Sequence, residues 1–369
     1  MAGRKPKLCV ITTGGTIGMV RDADGFAQPT APSTNQPTLP DASALPEASD
    51  AFPGLGEMVG DRYDLRIFPL MDRDSTNMLP SDWTLIARTI RSFSPQDFDG
   101  FVVTHGTDTL AHSASAVAFA LGPPPLPTPV VFTGAMRTPG DPGYDGLANL
   151  AGAYHAAASD LGEVSVAFHG KLLRATRTEK ISATELDAFA SPEPNGIGRV
   201  GDVAELNKHA ARRDKSQQEW SKEFSDDFSP SIAAITLTPG LAPTLYESLL
   251  DRNHCRGVIL TALGAGHVPD RPGSDWTAWI ASARKANIPV VLSSPFRGGR
   301  TDRSAYAVGR STAEAGAIPL ADLTQPCVHV KLRYLIAASD KAGVEACTYV
   351  QAAVAQNQFG ELGGPIKNV

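Results

Sequence analysis

Strand-length apolar runs recur along this chain, each followed by a stretch with helical spacing, and that alternation leaves few folds open. The runs fall at residues 8–12, 65–69, 100–104, 130–133 and 164–168. Between them, residues 81–93 set Trp83, Ile86 and Ile90 on one helical face behind a candidate N-cap at Ser81. The Ala-rich stretches 109–121 and 147–158 read as helices tucked against a sheet. Strands that alternate with helices of this length build a mostly parallel sheet with helices on its faces, an α/β fold. At 369 residues and 42% hydrophobic content, the chain can bury two cores.

The pattern is interrupted twice. Residues 21–62 are rich in Pro, Ala, Ser and Asp without sustained periodicity, and a structureless stretch of that length reads either as a site lid or as a solvated excursion. Residues 203–230 turn highly charged, after which strand and helix signals resume at 232–237, 241–250, 257–261, 275–286 and 289–293. Helices are expected near 329–338 and 343–355. The expected organisation is a larger N-terminal, mostly parallel sheet domain over 1–200, a charged linker over 201–230 and a smaller C-terminal α/β domain over 231–369.

A net charge of −6 supplies no broad basic field for nucleic acid or a membrane surface. No apolar run approaches a membrane span, and the run after the basic opening residues is short for an export signal, so a soluble cytoplasmic protein is expected. Cys9, Cys255, Cys327 and Cys347 lie far apart with no CxxC spacing, which suggests neither zinc nor a redox pair.

The chemistry concentrates where two apolar runs end. Residues 8–12 lead into Thr13-Gly14-Gly15-Thr16-Ile17-Gly18, a glycine turn displaying hydroxyls, and residues 100–104 lead into His105-Gly106-Thr107-Asp108-Thr109. Neither GxGxxG nor a P-loop lysine is present, so a nucleotide loop is disfavoured, and a GxSxG elbow is absent. In open α/β sheets ligands sit outside the carboxyl ends of strands, where both turns fall. A threonine hydroxyl there becomes a nucleophile only if a neighbouring base takes its proton, and a desolvated lysine can serve. Lys180 follows the fifth run, but spacing does not select it over Lys171, and taken alone it reads as an ion-pair partner of Glu179 or Glu185.

These two turns, together with Pro69-Leu70-Met71-Asp72-Arg73-Asp74-Ser75-Thr76-Asn77-Met78, Thr133-Gly134-Ala135-Met136-Arg137 and Arg177-Thr178-Glu179-Lys180 leading to 187–192, resemble the bacterial-type L-asparaginase family, closest to its cytoplasmic type I branch. The likeness spans most of the first two hundred residues and continues more loosely through residues 304–309. It implies Thr16 as the nucleophile, Thr107, Asp108 and Lys180 as the proton-shuttling group, and Ser75 and Asp108 as binders of the substrate's α-carboxylate and α-amino group. It further implies substrate contact at Thr76 and pocket-lining backbone at Gly106 and Ala135. No metal or cofactor is implied. The implied reaction is hydrolysis of L-asparagine to aspartate and ammonia through an acyl-enzyme, favoured at neutral to alkaline pH if a neutral Lys180 must take the proton. A homodimer or homotetramer is the implied assembly.

The chain departs from the family at three places. The tyrosine of the mobile loop is replaced by Phe26, which can close the loop as a lid but cannot relay a proton. The Gly-x-Gly-Asn segment offered by a neighbouring subunit reads Gly264-Ala265-Gly266-His267, and the C-terminal glutamate of some members has no equivalent. The alternatives are therefore a broader asparaginase–glutaminase or related amidase, or a catalytically weakened amino-acid-binding or regulatory protein. A tRNA-dependent amidotransferase subunit is disfavoured, because it carries an extra domain before the threonine loop and this chain starts at its first strand.

Overall fold

The computed structural model describes residues 4–18, 20–21, 27–28, 42–47, 52, 54–229, 231–301 and 307–364. The chain divides into two compact units, Met1–Asp226 and Asp227–Val369. Both are α/β, and the larger sheet belongs to the first.

In the first unit, β1 (Lys7–Thr12) precedes the short antiparallel pair β2 (Val20–Arg21) and β3 (Ala27–Gln28), then helix α1 (Leu55–Val59) and β4 (Asp64–Pro69). There follow α2 (Pro80–Ser92), β5 (Gly100–Thr104), α3 (Leu110–Leu121), β6 (Val130–Thr133), α4 (Gly146–Ala157) and β7 (Val164–Phe168). All five strands expected from the apolar runs form, and they lie parallel in the order β7-β6-β5-β1-β4. A parallel sheet covered on both faces has no solvated side, so its strands are apolar without alternation. Leu8, Val10, Val102 and Val131 pack with Leu150 and Ala153 of α4 on one face. Phe101 meets Phe93, Phe98 and Trp220 in a separate aromatic cluster.

Helix α2 starts one residue before the expected cap. Leu79 is the N-cap, Pro80 takes the first turn where a missing N–H costs nothing, and the Asp82 carboxylate accepts the Leu79 N–H at 2.8 Å. Beyond β7 the sheet turns antiparallel, through strands the apolar runs did not announce. β8 (Lys171–Arg174) pairs with β7, with His169 (φ 48°) and Gly170 (φ 73°) forming the two-residue link, a primed turn whose twist suits a tight hairpin. The small separate hairpin β9 (Glu179–Lys180) and β10 (Phe189–Ala190) comes next, then β11 (Gly198–Val200) and β12 (Ala204–Leu206), which bring the main sheet to eight strands among the described residues. The charged stretch expected to be a linker thus packs on the first unit up to residue 226. Ala204–Leu206 is its edge strand, Trp220 Nε1 donates to Phe93 O at 2.8 Å, and Arg88 pairs with Asp226.

In the second unit the parallel sheet runs β13 (Ile232–Thr236), β14 (Gly257–Thr261), β17 (Val290–Ser293) and β18 (Ile318–Pro319), with the hairpin β15 (Asp270–Arg271) and β16 (Ser274–Asp275) beside α5 (Trp276–Lys285). Helix α6 (Ala307–Glu314) precedes β18, and α7 (Gln325–Ala342) and α8 (Ala346–Ala353) follow it. Within 241–250 the chain forms a 3₁₀ segment, Pro243–Leu250, broken by the non-helical Tyr246. Inside this unit Lys331 and Glu361, only 3% and 1% exposed, form an ion pair at 2.6 Å. The ammonium also donates to Val354 O and Gln356 O at 2.8 Å each, which ties the C-terminal segment to α7.

Candidate active site

The loops after β1, β4, β5 and β6 leave the same end of the parallel sheet and stack on one another. Thr13 anchors the first: its N–H and hydroxyl both reach Thr104 O, at 3.2 and 2.8 Å, and its carbonyl accepts the Arg73 N–H at 3.1 Å. Gly15 (φ 88°) then passes so close to the second loop that a Cβ on it would lie 2.4 Å from Gly106 N. Gly106 in turn lies against Ser75, where a Cβ would sit 2.6 Å from the serine oxygen. Bare α-carbons at these two points bring three loops within contact distance. Thr16 opens the 3₁₀ turn Thr16–Gly18, half-buried, directly after the Gly15–Gly106 contact.

The two lysines have different partners. Lys180 Nζ lies 2.9 Å from Thr107 Oγ1 and 2.6 Å from Asp108 Oδ1, whereas Lys171 Nζ is taken by Asp187 at 2.5 Å and Phe189 O at 3.3 Å. Lys180 reaches Thr107 because β9 and β10 pair Lys180 with Phe189, and Phe189 is buried against Phe168 with ring centroids 4.8 Å apart. The neighbouring Arg177 is buried and held by Glu193 at 2.7 Å, and that guanidinium keeps the Glu193 carboxyl below its ordinary range against the opposing effect of burial. Thr107 is 8% exposed and the Asp108 side chain 55%, so the group runs from a buried hydroxyl to an open carboxylate.

Ser75 is buried, and its carbonyl accepts the Thr109 hydroxyl at 2.7 Å. Thr76 is exposed and turns its hydroxyl to Asp74 Oδ1 at 2.9 Å, where Asp74 caps the turn Ser75–Asn77. Ala135 is buried in the loop after β6. The first turn of α4 shapes that loop: the Asp145 carboxylate accepts Met136 N–H at 3.0 Å and Arg137 N–H at 3.1 Å, and Asn149 Nδ2 donates to Gly134 O at 3.0 Å. Asn149 Oδ1 receives the His169 N–H at 2.9 Å, which joins the loop to the β7–β8 turn. Asp145 and Asn149 were not singled out from the sequence. The one available signal is a short polar side chain in a first helical turn, too common to be diagnostic.

His105 lies fully buried beneath the second loop, its Nδ1 2.8 Å from Gly106 O. Burial lowers it to about 4, so the ring is neutral at ordinary pH and Nδ1–H is the donor to that carbonyl. Thr16, Thr107, Asp108, Lys180, Ser75, Thr76, Gly106 and Ala135 all belong to the first unit. Phe26, the expected lid residue, lies outside the described residues, as do residues 304–306 of the looser C-terminal likeness. His267 belongs to the second unit, in a tight turn where its N–H and carbonyl both bond Leu263, at 2.8 and 2.9 Å. Among the described residues no group of three or more His, Cys, Asp or Glu side chains is gathered for a metal, and no helix is long and apolar enough to cross a membrane.

Residues 7–212 match the family model described as Asparaginase, N-terminal, and residues 231–346 match the Glutaminase/Asparaginase C-terminal domain. The chain is 31% identical over 363 residues to L-asparaginase 1 of Escherichia coli strain K12, covering 97% of this chain and 98% of that protein. It is 30% identical over 348 residues to a glutamyl-tRNA(Gln) amidotransferase component of Methanosarcina mazei, covering 91% of this chain and 75% of the relative. The solved thermostable L-asparaginase from Thermococcus kodakarensis superposes with a TM-score of 0.80 at 29% identity, covering 97% of this chain and 99% of that one.

Proposed function

The chain belongs to the asparaginase family, matching both of its domains, and from that premise we propose that it hydrolyses L-asparagine to L-aspartate and ammonia with Thr16 as nucleophile. The observation that carries the proposal is Lys180 Nζ placed between Thr107 Oγ1 and Asp108 Oδ1, on a loop whose Gly106 touches Gly15, the residue before Thr16. In the proposed reaction Thr16 Oγ attacks the side-chain carboxamide carbon. Its proton passes through Thr107 and Lys180 to the departing nitrogen, and ammonia leaves. Backbone N–H groups near Gly15 and Thr107 stabilise the oxyanion. Water then cleaves the acyl ester, returning the proton to Thr16 and releasing aspartate. Ser75 and Asp108 hold the α-carboxylate and α-amino group, and a small buried residue at 135 leaves room beside them.

Ammonia release from L-asparagine tests this, with D-asparagine and L-glutamine assayed in parallel and Thr16→Ala as the null variant. Turnover that survives Thr16→Ala would remove the nucleophile assignment. Binding of aspartate without any turnover would replace the enzyme by an amino-acid-binding protein. A second reading, a component of a tRNA-dependent amidotransferase, rests on the relative from Methanosarcina mazei; it requires turnover to depend on a partner, so full activity of the purified chain on free asparagine dismisses it. The assembly proposed is a cytoplasmic homodimer or homotetramer, and a fully active monomer by light scattering would overturn that.

A further inference from the structure

Tyr144 joins two parts of the first unit that are distant in sequence. Its hydroxyl donates to the carbonyl of Ile17 at 3.1 Å, and Ile17 follows Thr16 inside the turn that Gly18 N–H closes on Gly15 O at 3.0 Å. The phenol reaches that carbonyl because Gly146, the first residue of α4, has no side chain. A Cβ there would fall 2.2 Å from the Tyr144 oxygen and 2.3 Å from the carbon that bears it. The base of the tyrosine is fixed as well. Its N–H donates to Asp141 O at 3.1 Å, and the adjacent Asp145 carboxylate is engaged by Met136 N–H, Arg137 N–H and Asn149 Nδ2. Burial, reinforced by the Asp145 charge, pushes the phenol up to about 12, so it stays a donor across the working pH range.

The turn it holds is intrinsically weak. A three-residue 3₁₀ segment has poor hydrogen-bond geometry, and glycines at 14, 15 and 18 leave its backbone free to rotate. We propose that Tyr144 is a positioning residue for Thr16: its hydrogen bond to Ile17 O clamps the nucleophile's turn to the first turn of α4, the same turn that shapes the Gly134–Arg137 loop. One polar scaffold thereby sets two walls of the pocket. The catalytic part of this inference rests on Thr16 being the nucleophile; the clamp itself does not.

Tyr144→Phe keeps the ring and removes only the donor. It is expected to lower kcat by about threefold to tenfold, the share of correctly placed turn that one neutral hydrogen bond controls, with KM within about twofold of wild type. Deuterium uptake should rise in the peptide covering residues 13–18 and not in α4. Gly146→Ala, which displaces the phenol, should reproduce the kcat loss. Combined with Tyr144→Phe it should lower kcat no further than either change alone, because both act on one contact. Wild-type kcat and unaltered uptake at 13–18 in Tyr144→Phe would overturn the proposal. Should the wild-type protein release no ammonia, the functional reading fails, and the exchange measurement still decides the clamp.

Discussion

Replacing Gly15 by alanine tests the stacking of loops at its tightest point. The added Cβ would lie 2.4 Å from Gly106 N and 2.5 Å from Gly106 Cα, both backbone atoms, whereas ordinary contact begins at 3.4 Å. The loops must therefore part by about 1 Å, the difference between those distances, and they part between Thr16 and Thr107. Gly15 also has φ 88°, a conformation that costs an L-residue about 1–2 kcal/mol. A misplacement of about 1 Å between reacting groups lowers turnover by about 100-fold, or about 2.7 kcal/mol in the barrier. Gly18, three residues away, provides the control: among the described residues its Cβ would meet nothing within 4 Å, and its φ is not positive. Gly18→Ala is expected to change stability by less than about 0.5–1 kcal/mol, with kcat within about threefold of wild type. The assay is ammonia release over a range of asparagine concentrations, with urea melts to confirm that both variants fold. Gly15→Ala with near-wild-type kcat, or Gly18→Ala falling as far as Gly15→Ala, would refute the reasoning.

The other expectations concern lysines and histidines. Lys180→Met should reduce kcat by about 100-fold or more while Lys171→Met stays within about threefold, because only the first reaches Thr107; equal losses in the two would dismiss the proton-relay role. Lys331→Met should cost the second unit about 3–5 kcal/mol in urea unfolding by leaving Glu361 without its buried counter-charge, and Glu361→Leu added to it should restore most of the loss. Burial lowers His105 and His329 from 6.5 to about 4, so between those values the unfolded chain binds protons that the folded chain does not. Stability should therefore fall on acidification from pH 6.5 towards 4, by up to about 1.4 kcal/mol per pH unit for each histidine. His105→Gln and His329→Gln should each flatten the pH dependence of urea unfolding, and an unchanged slope in both would show that other groups govern it.

What could be read from the sequence was set by how local its cause is. The parallel strands are legible because burial on two faces forces uninterrupted apolar runs, as in Phe101-Val102-Val103. β8 is not, because Lys171 and Arg174 flank two leucines and its hairpin turn is His-Gly rather than the common Asn-Gly. The two threonine turns stand out through the resemblance, yet that Lys180 rather than Lys171 contacts Thr107 follows from the β9–β10 pairing, which four residues in two short strands do not announce. Tyr144, Asp145 and Asn149 escaped for a different reason. They act through hydrogen bonds from a helix start to loops outside it, Tyr144 to Ile17 O and Asp145 and Asn149 to the 134–137 loop, and such contacts leave no period in the sequence.

The order of strands in the larger sheet carries a consequence for synthesis. β1 lies inside the sheet, paired to the edge strand β4 on one side and β5 on the other, yet it precedes both in the chain. At about 5–20 residues per second, the ribosome needs about 5–20 s to extend from the Thr16 turn to the Thr107 turn. For that interval Leu8-Cys9-Val10-Ile11 has emerged without its later neighbour, an apolar segment suited to pairing with the wrong strand. The residues proposed to begin catalysis are thus made early and completed late. A nascent chain halted before β5 would carry the Thr16 turn, its sticky strand and no Thr107 loop to meet it.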